Sequence, residues 1–355
     1  MNPNNKRKRV AVIFGGTGLE HSISVMSAQY FCSLLQGGDY LAIPVYIAKD
    51  GRWSIHSPKS TPKEIEQKES RGICTYPVRR GNNSGFMLPV GLLSVDAAIP
   101  LLHGDGGEDG GVQGALECAG IPYVGATPAS SAICHNKAYT KAIAESLGIP
   151  TLPWLYTEAG VTECDVCELI KEAERKLSYP MFIKPATLGS SFGCSAVYSR
   201  ADFAPAYRTA HKLSHGRVLI EKMLVSPKEL EVGYFQSKCN KLFTNPGEIL
   251  YDGGFYSYEA KYSDTSGARV TPSASITENE CRAATTYAEA LTTAIGIRHL
   301  CRIDFFFFEG KIFFNEINTM PGMTKSSLYP RLIEGAGIPP MQMARSLIDA
   351  AISRV

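Results

Sequence analysis

The sequence is most informative over residues 302–318, which read RIDFFFFEGKIFFNEIN. Two aromatic-rich runs flank a short polar segment, a pattern typical of an antiparallel hairpin. If the turn centres on its glycine, Asp304 lies opposite Glu316 and Arg302 lies opposite Asn318. Because side chains two residues apart on a strand share a face, we expect all four to project from one side of the sheet.

This arrangement predicts a metal site. Two carboxylates placed directly opposite each other repel unless a cation lies between them. The oxygens of Asp304, Glu316 and Asn318 are hard ligands of the kind that suits Mg²⁺. The alternative is a solvated sheet face that carries a ladder of charges.

The composition excludes several classes of protein. The chain has 355 residues, 44% of them hydrophobic and 20% charged, as in a globular protein of two or three domains. Its net charge of +2 indicates neither a nucleic-acid nor a membrane partner. We recognise no signal peptide and no membrane-spanning run. Ten scattered cysteines favour reduced thiols in a cytoplasm.

Residues 1–125 alternate strand and helix patterns, which predicts a doubly wound α/β domain. A helix begins near Glu20, and its apolar residues at helical spacing are Ile23, Met26, Tyr30 and Leu34. The stretch 49–89 is polar and broken by Pro and Gly. The predicted strands are Val10–Phe14, Ala42–Ile47 and Ala97–Leu102, and a further helix ends near Cys118.

The rest of the chain divides into a central part, 126–224, and a strand-rich part, 225–355, which carries a long irregular insert at 251–271. The predicted helices are Asn136–Leu147, Glu278–Ala294 and Met341–Ser353. The predicted strands are Met181–Pro185, Cys194–Val197, Val218–Glu221, Glu231–Gln236, Lys241–Phe243, Arg302–Phe308 and Lys311–Ile317.

A second chemical signal lies at residues 182–195, FIKPATLGSSFGCS. An apolar strand delivers Lys184, and a turn containing Gly189, Ser190 and Ser191 follows. Backbone amides and hydroxyls of such a turn approach phosphate oxygens closely, and a lysine adds a point charge. The alternative is a plain turn between two strands.

A weaker signal follows the strand at Val218–Glu221. The segment Glu221-Lys222-Met-Leu224 could bind a purine edge, with Glu229 near the ribose. Taken alone, such a segment is more often an ordinary strand end.

Two loops near the amino terminus follow predicted strands. Glu20 closes the glycine-rich turn GGTGLE, where it could hold a ligand's ammonium group or simply favour the helix start. His103 stands at a strand's carboxyl end, where open α/β sheets bind ligands. We expect Glu108 and Asp109 to cap and orient the loop that follows.

In this order the motifs resemble the D-alanine–D-alanine ligase family of the ATP-grasp superfamily, over residues 10–350. The motifs are G-G-T-x-x-E-H-x-x-S, L-H-G-x-x-G-E-D-G, I-K-P-x-x-x-G-S-S-x-G, E-A-K-Y, R-I-D and N-E-I-N-T-x-P-G-M-T. The resemblance implies an N-terminal doubly wound, substrate-binding domain followed by a two-lobed ATP-grasp fold. The insert 251–271 would be a lid that excludes water.

The resemblance implies a reaction in two steps. ATP phosphorylates the carboxylate of one D-alanine, and the amine of a second D-alanine attacks the acyl phosphate. The cofactors would be ATP and two Mg²⁺ ions, for which Mn²⁺ is an expected substitute. The dipeptide would feed peptidoglycan synthesis in the cytoplasm, and the enzyme would be a homodimer.

The resemblance also implies roles for individual residues. The substrate-binding residues would be Glu20, His103, Arg302, Ser327 and Leu328. The ATP-binding residues would be Lys137, Lys184, Ser190, Ser191, Glu221, Lys222, Leu224, Glu229 and Lys261. The catalytic residues would be Glu20, Ser190, Tyr262, Arg302 and Gly322. The metal ligands would be Asp304, Glu316 and Asn318, which agrees with the hairpin argument.

The chain departs from the family pattern at a few positions. Ser22 replaces an acid, His135-Asn136 replaces Met-Asp before Lys137, and Lys325 replaces a small polar residue. The alternative functions are D-alanine–D-serine and D-alanine–D-lactate ligation. Lactate-forming relatives lack the lid tyrosine that stands here as Tyr262, whereas a pocket distinguishes D-serine from D-alanine poorly.

Overall fold

The computed structural model describes residues 7–68, 72–158, 163–250 and 269–353. Within those ranges the chain forms four sheets with helices packed against them, so the predicted mixed α/β architecture is confirmed. In the same ranges we find no helix with the length and apolar character that crossing a membrane requires.

The strands are numbered in chain order. They are β1 (Lys8–Gly15), β2 (Tyr40–Ile47), β3 (Trp53–Ile55), β4 (Ile73–Cys74), β5 (Pro77–Arg80), β6 (Asn83–Leu88), β7 (Gly91–Ser94), β8 (Ala97–Pro100), β9 (Trp154–Thr157), β10 (Met181–Pro185), β11 (Ser195–Val197), β12 (Val218–Lys222), β13 (Lys228–Gln236), β14 (Lys241–Phe243), β15 (Gly247–Leu250), β16 (Arg269–Thr271), β17 (Leu300–Phe308) and β18 (Lys311–Asn318).

The helices are numbered likewise. They are α1 (His21–Leu34), α2 (Pro62–Gln67), α3 (Gly111–Cys118), α4 (Pro128–His135), α5 (Lys137–Ser146), α6 (Glu163–Lys176), α7 (Arg200–Leu213), α8 (Glu278–Ile295), α9 (Leu328–Gly335) and α10 (Pro340–Ile352).

The first sheet has the order β4-β3-β2-β1-β8, with β1 parallel to both β2 and β8. The central part forms the antiparallel sheet β11-β10-β12-β9, and the strand-rich part forms a six-stranded sheet in which β13, β17 and β18 are neighbours. One hydrophobic core joins Val12 and Phe14 of β1 to Met323, Tyr329 and Leu347 near the carboxyl end. The first sheet therefore packs directly against the end of the chain.

Helix α1 buries Ile23 of the predicted apolar series together with residues outside that series. Val25, Ala28 and Phe31 are packed in the core, whereas Met26 is 48% exposed. Ser24 explains the close packing, because its hydroxyl accepts from Gly15 N–H at 2.8 Å and donates to the Leu101 carbonyl. Met26 belongs to the apolar residues at helical spacing, but it lines the cavity described below instead of the core.

The stretch 49–89, predicted as irregular, contains α2 and several short strands. Strands β5, β6 and β7 form a separate three-stranded sheet. These three strands have four to six residues and polar ends such as Arg79, Arg80 and Asn83, so they lack a clear hydrophobic period. The sequence prediction also missed helices α4, α7 and α9.

The hairpin of β17 and β18 confirms the predicted pairs, although its turn differs. The loop has two residues, Glu309 and Gly310, both with positive φ (49° and 75°), as in a type I′ turn. That turn alone would place residue 315 opposite Asp304. A β-bulge after Asp304 leaves Asn315 without a partner on β17 and brings Glu316 opposite Asp304.

We predict that Tyr329→Phe destabilises the protein without changing its fold. Tyr329 is fully buried and its hydroxyl donates to the Tyr234 carbonyl at 2.8 Å, which ties α9 to β13. Losing this bond should lower the free energy of unfolding by about 1–2 kcal/mol, measured by urea denaturation. Tyr198→Phe is the control, because Tyr198 is 65% exposed. Equal effects of the two substitutions would contradict the prediction.

Candidate active site

One cavity of about 1530 Å³ collects the predicted site residues that the structure describes. They come from strands β10, β12 and β13, from the loops after β1, β8, β10 and β12, from the start of α5, and from the hairpin of β17 and β18 with the segment that leads into α9. The residues that line it are Glu20, His103, Lys137, Lys184, Ser190, Ser191, Glu221, Lys222, Leu224, Glu229, Arg302, Asp304, Glu316, Asn318, Gly322, Ser327 and Leu328. Lys261 and Tyr262 lie outside the described residues, and their roles stay predictions.

Three carboxylates lie abreast on the cavity side of the large sheet. Glu231 of β13 is paired with Asp304 of β17, and Asp304 is paired with Glu316 of β18. The Arg302 guanidinium binds Asp304 through two bonds of 2.7 Å and lies 3.1 Å from Glu231. Burial would lower the pKa of Arg302, but Asp304 and Glu231 raise it well above its ordinary value. The Arg302 guanidinium therefore keeps its positive charge beside these carboxylates.

The oxygen donors of the hairpin fit a magnesium site. Asp304, Glu316 and Asn318 all line the cavity, and the Asn318 side-chain oxygen is oriented by accepting from Met320 N–H at 3.0 Å. In the part of the chain that the structure describes, no group of three His, Cys, Asp or Glu is placed to hold a metal ion alone. Mg²⁺ usually takes only one or two protein carboxylates and completes its shell with phosphates and water. The donor set thus suits a metal that arrives with a phosphate ligand.

Lys137 is placed at the same end of the cavity by the start of α5. Asn136 caps that helix, because its side chain accepts from Ala138 N–H at 3.0 Å. Lys137 Nζ donates to the Leu188 carbonyl at 2.7 Å and lies 3.2 Å from Glu316. The departure at Asn136 therefore keeps the capping function of an aspartate.

A buried chain of charges extends from Lys184 and Glu221 in the cavity lining to Lys141 behind them. Glu221 forms ion pairs with Lys184 and, at 2.9 Å, with Lys141, and Lys184 also donates to the Asn315 side chain at 3.1 Å. Burial would raise the pKa of Glu221, but the two lysines lower it. Burial lowers the pKa of Lys141, whereas Glu221 and Glu316 outweigh burial and raise that of Lys184.

Sequence reasoning missed three residues of this site, Lys141, Glu231 and Asn315. Lys141 is one helical turn after Lys137, and Glu231 shares a strand face with Glu229, so spacing alone could have suggested both. Asn315 gave no signal, because its position depends on the bulge.

Glu20 joins the first loop to the loop after β10. Its carboxylate accepts a short hydrogen bond from the Ser190 hydroxyl, and it makes no capping bond to α1. Glycines leave room for this carboxylate at two positions, since an added Cβ would lie 2.7 Å from Glu20 Oε2 at Gly104 and 3.1 Å from it at Gly189 and would push the carboxylate aside. Glu20 thus acts as a contact between loops rather than as a helix cap.

His103 is buried beneath this contact. Its Nε2 lies 3.1 Å from the Ser27 hydroxyl, which also accepts from Met323 N–H at 3.3 Å. Burial lowers the pKa of His103, against an opposing effect of Glu20. The neutral ring therefore connects α1 to the carboxyl-terminal loop.

The acidic residues of the next loop orient its backbone, as predicted. Glu108 accepts from Gly104 N–H at 2.7 Å, and Asp109 accepts from Gly106 and Gly111 N–H at 2.8 and 2.9 Å. Burial, with a smaller effect of Glu20, raises the pKa of Glu108 to about 8.

The loop before α9 is held by Ser327. Its hydroxyl lies 2.7 Å from that of Thr324 and accepts from Thr324 N–H at 3.1 Å. A Cβ at Gly322 would lie 2.9 Å from the Ser327 hydroxyl, so the loop is closed tightly here. Lys325 and Ser22, two departures from the family pattern, are exposed and line the cavity.

We predict that Glu108→Gln stabilises the protein more at about pH 9 than at about pH 6. The folded-state pKa is raised, so the contribution of this carboxyl to stability is full in acid and is lost as the pH rises through about 8. Glutamine keeps an acceptor for Gly104 and cannot ionise. The gain in the free energy of unfolding that the substitution gives should be larger at pH 9 than at pH 6 by on the order of 1–2 kcal/mol. Urea denaturation at both pH values measures it, and equal effects would contradict the prediction.

Comparisons with known proteins agree with this geometry. The family model described as D-ala D-ala ligase N-terminus matches residues 9–126, and that described as D-ala D-ala ligase C-terminus matches residues 143–349. The D-alanine–D-alanine ligase of Treponema pallidum is 33% identical, covering 97% of this chain and 88% of that protein. The ligase of Caldicellulosiruptor bescii is 35% identical, covering 98% of this chain and 95% of that protein.

Two solved structures are similar over nearly the whole chain. D-alanyl-alanine synthetase A of Vibrio cholerae has a TM-score of 0.84 and 32% identity, covering 98% of this chain and 99% of that one. The VanG D-Ala:D-Ser ligase of Enterococcus faecalis has a TM-score of 0.85 and 29% identity, covering 97% and 99%. The predicted ATP-grasp fold is thereby confirmed. Both family models and relatives matched over nearly their full length place this chain in the D-alanine–D-alanine ligase family.

Proposed function

We propose that this chain is an ATP-dependent ligase that joins two molecules of D-alanine into D-alanyl-D-alanine through an acyl phosphate. The observation that carries the proposal is the meeting of three kinds of group in one cavity. These are a row of carboxylates with an arginine, two lysines beside a Gly/Ser loop, and the Glu20–Ser190 contact. Membership of the ligase family supports the same reaction.

The nucleotide would lie between the central sheet and the large sheet. Lys137 and Lys184 would bind its phosphates, together with the loop that carries Ser190 and Ser191. Lys222 and Leu224, at the end of β12, would contact the adenine, and Glu229 the ribose. The adenine contact proposed for Glu221 would have to share a carboxylate whose two oxygens are already paired with Lys141 and Lys184.

The metal ligands would be Asp304, Glu316 and Asn318. Two Mg²⁺ ions, or Mn²⁺ in their place, would neutralise the charge on the transferred phosphoryl group. Arg302 and the Gly322 amide would stabilise the oxyanion that forms when the amine attacks, a contribution of about 3–4 kcal/mol per donor in other enzymes.

The amino-acid sites would lie on either side of that oxyanion. Glu20 would hold the ammonium group of the first D-alanine, with His103 beside it. Ser327 and Leu328, at the start of α9, would bind the carboxylate of the second. Ser327 is already fixed by Thr324, so its hydroxyl position is set before a substrate arrives.

The wider setting is also proposed. The dipeptide would serve peptidoglycan synthesis in the bacterial cytoplasm, and the enzyme would be a homodimer. We propose a substrate-binding domain at residues 1–125 and ATP-grasp lobes at 126–224 and 225–355, with residues 251–271 as the lid.

The test is phosphate release with Mg-ATP and D-alanine, D-serine or D-lactate, offered singly and in pairs, with products identified by mass. D-Alanine alone should give phosphate and the dipeptide. A mixed product only with D-serine would identify the alternative activity, the one for which the VanG D-Ala:D-Ser ligase is named. Phosphate release without any dipeptide would overturn the substrate assignment.

We predict that Glu316→Gln abolishes turnover while leaving the fold intact. The substitution removes one negative charge from the proposed metal ligands and the partner of Lys137. We expect kcat to fall by about a thousandfold or more, as for the loss of a group that acts at the transition state. The control is Glu309→Gln in the exposed turn of the same hairpin, which should turn over normally. Similar kcat values for the two variants at saturating Mg²⁺ would sink the metal assignment.

A further inference from the structure

Glu231 lies at one end of the carboxylate row. Unlike Asp304 and Glu316, it has no role in the proposed function. It is buried, at 4% exposure, and is in register with Asp304. Its Oε2 atom lies 3.1 Å from Arg302 Nε, the same nitrogen that donates to Asp304 Oδ1 at 2.7 Å. The guanidinium is therefore shared between two carboxylates on neighbouring strands.

The sharing matters because both oxygens of Asp304 are bonded to Arg302. A divalent cation can use Asp304 as a ligand only if the guanidinium withdraws from it. A buried guanidinium left without an anion is strongly unfavourable. Glu231 offers such an anion on the side of Asp304 away from Glu316.

We propose that Glu231 is a positioning residue that retains Arg302 at the cavity when a divalent cation takes Asp304. The inference rests on the proposed function, because it takes Asp304 as a metal ligand. In the metal-free protein Arg302 neutralises both carboxylates. On metal binding it shifts its bonds to Glu231 and stays beside the place where the oxyanion forms.

The proposal has a measurable consequence for metal affinity. Without the Glu231 carboxylate, Arg302 keeps its two bonds to Asp304 and competes harder with the metal. In a protein that lacks Arg302 this competition does not exist, so the residue at 231 should matter little. The two positions should therefore be energetically coupled in metal binding.

The experiment is a double-mutant cycle read by Mn²⁺ binding, with free Mn²⁺ measured by electron paramagnetic resonance in the presence of saturating ADP. The proteins are the wild type, Glu231→Gln, Arg302→Met and the double variant. We expect Glu231→Gln to weaken Mn²⁺ binding roughly tenfold with Arg302 present, and less than about twofold with Met at 302. An equal factor in both backgrounds, or no change in either, would overturn the proposal.

Two further variants distinguish a positioning role of Glu231 from a general effect of its negative charge and from an effect on core packing. Glu231→Asp keeps the negative charge but draws the carboxylate away from Arg302. If Glu231 positions Arg302, this variant should also bind Mn²⁺ more weakly. If only the charge at position 231 matters, it should bind Mn²⁺ with wild-type affinity. Glu248→Gln is the packing control, because Glu248 is 5% exposed, pairs with Lys228 and lies on the opposite sheet face. It should change the melting temperature but not the Mn²⁺ affinity.

The outcomes also separate this inference from the function on which it rests. If the wild type binds no Mn²⁺ with ADP present, the metal assignment fails and this inference fails with it. If the wild type binds Mn²⁺ and makes the dipeptide but positions 231 and 302 are uncoupled, only the role of Glu231 is refuted.

Discussion

The site depends on keeping like charges side by side on one sheet face. Glu231, Asp304 and Glu316 occupy neighbouring strands in register, an arrangement that is unfavourable unless cations compensate it. Arg302 compensates the first two and Lys137 the third. Because these cations are themselves held by the carboxylates and, for Lys137, by the Leu188 carbonyl, the row and its partners form one unit. Such a row is suited to exchange its side-chain cations for metal ions and phosphate contacts.

The β-bulge at Asn315 connects this row to the buried lysines. It shifts the register by one residue, which puts Glu316 rather than Asn315 opposite Asp304. It also frees the Asn315 side chain to accept from Lys184. Through Lys184, the hairpin is linked to Glu221 and the buried Lys141. One inserted residue therefore aligns the proposed metal ligands with a proposed phosphate-binding lysine.

The sequence predicted the hairpin pairs correctly, but partly through two errors that cancelled. The prediction assumed a one-residue turn, whereas the turn has two residues, and it did not include the bulge. Each difference shifts the pairing of the strands by one residue, and the two shifts have opposite directions. The spacing of apolar residues located most of the long helices and strands. It grouped Met26 with the buried Ile23 of α1, although this helix has one face on the core and one on the cavity, and Met26 lies on the cavity face. Lys141 and Glu231 escaped notice because their partners lie 80 and 71 residues away along the chain. Local spacing could have drawn attention to these two residues, but their partners are set by topology, which no local pattern encodes.

The Glu20–Ser190 contact shows how the loops depend on each other. Ser190 and Ser191 both have positive φ, 52° and 58°, a conformation that non-glycine residues adopt only with support from their surroundings. Glu20 supplies that support across 170 residues of sequence. A ligand ammonium group bound at Glu20 would compete with the Ser190 hydroxyl for the same carboxylate. Occupation of the proposed amino-acid site would therefore affect the proposed phosphate loop through the Glu20 carboxylate that both share.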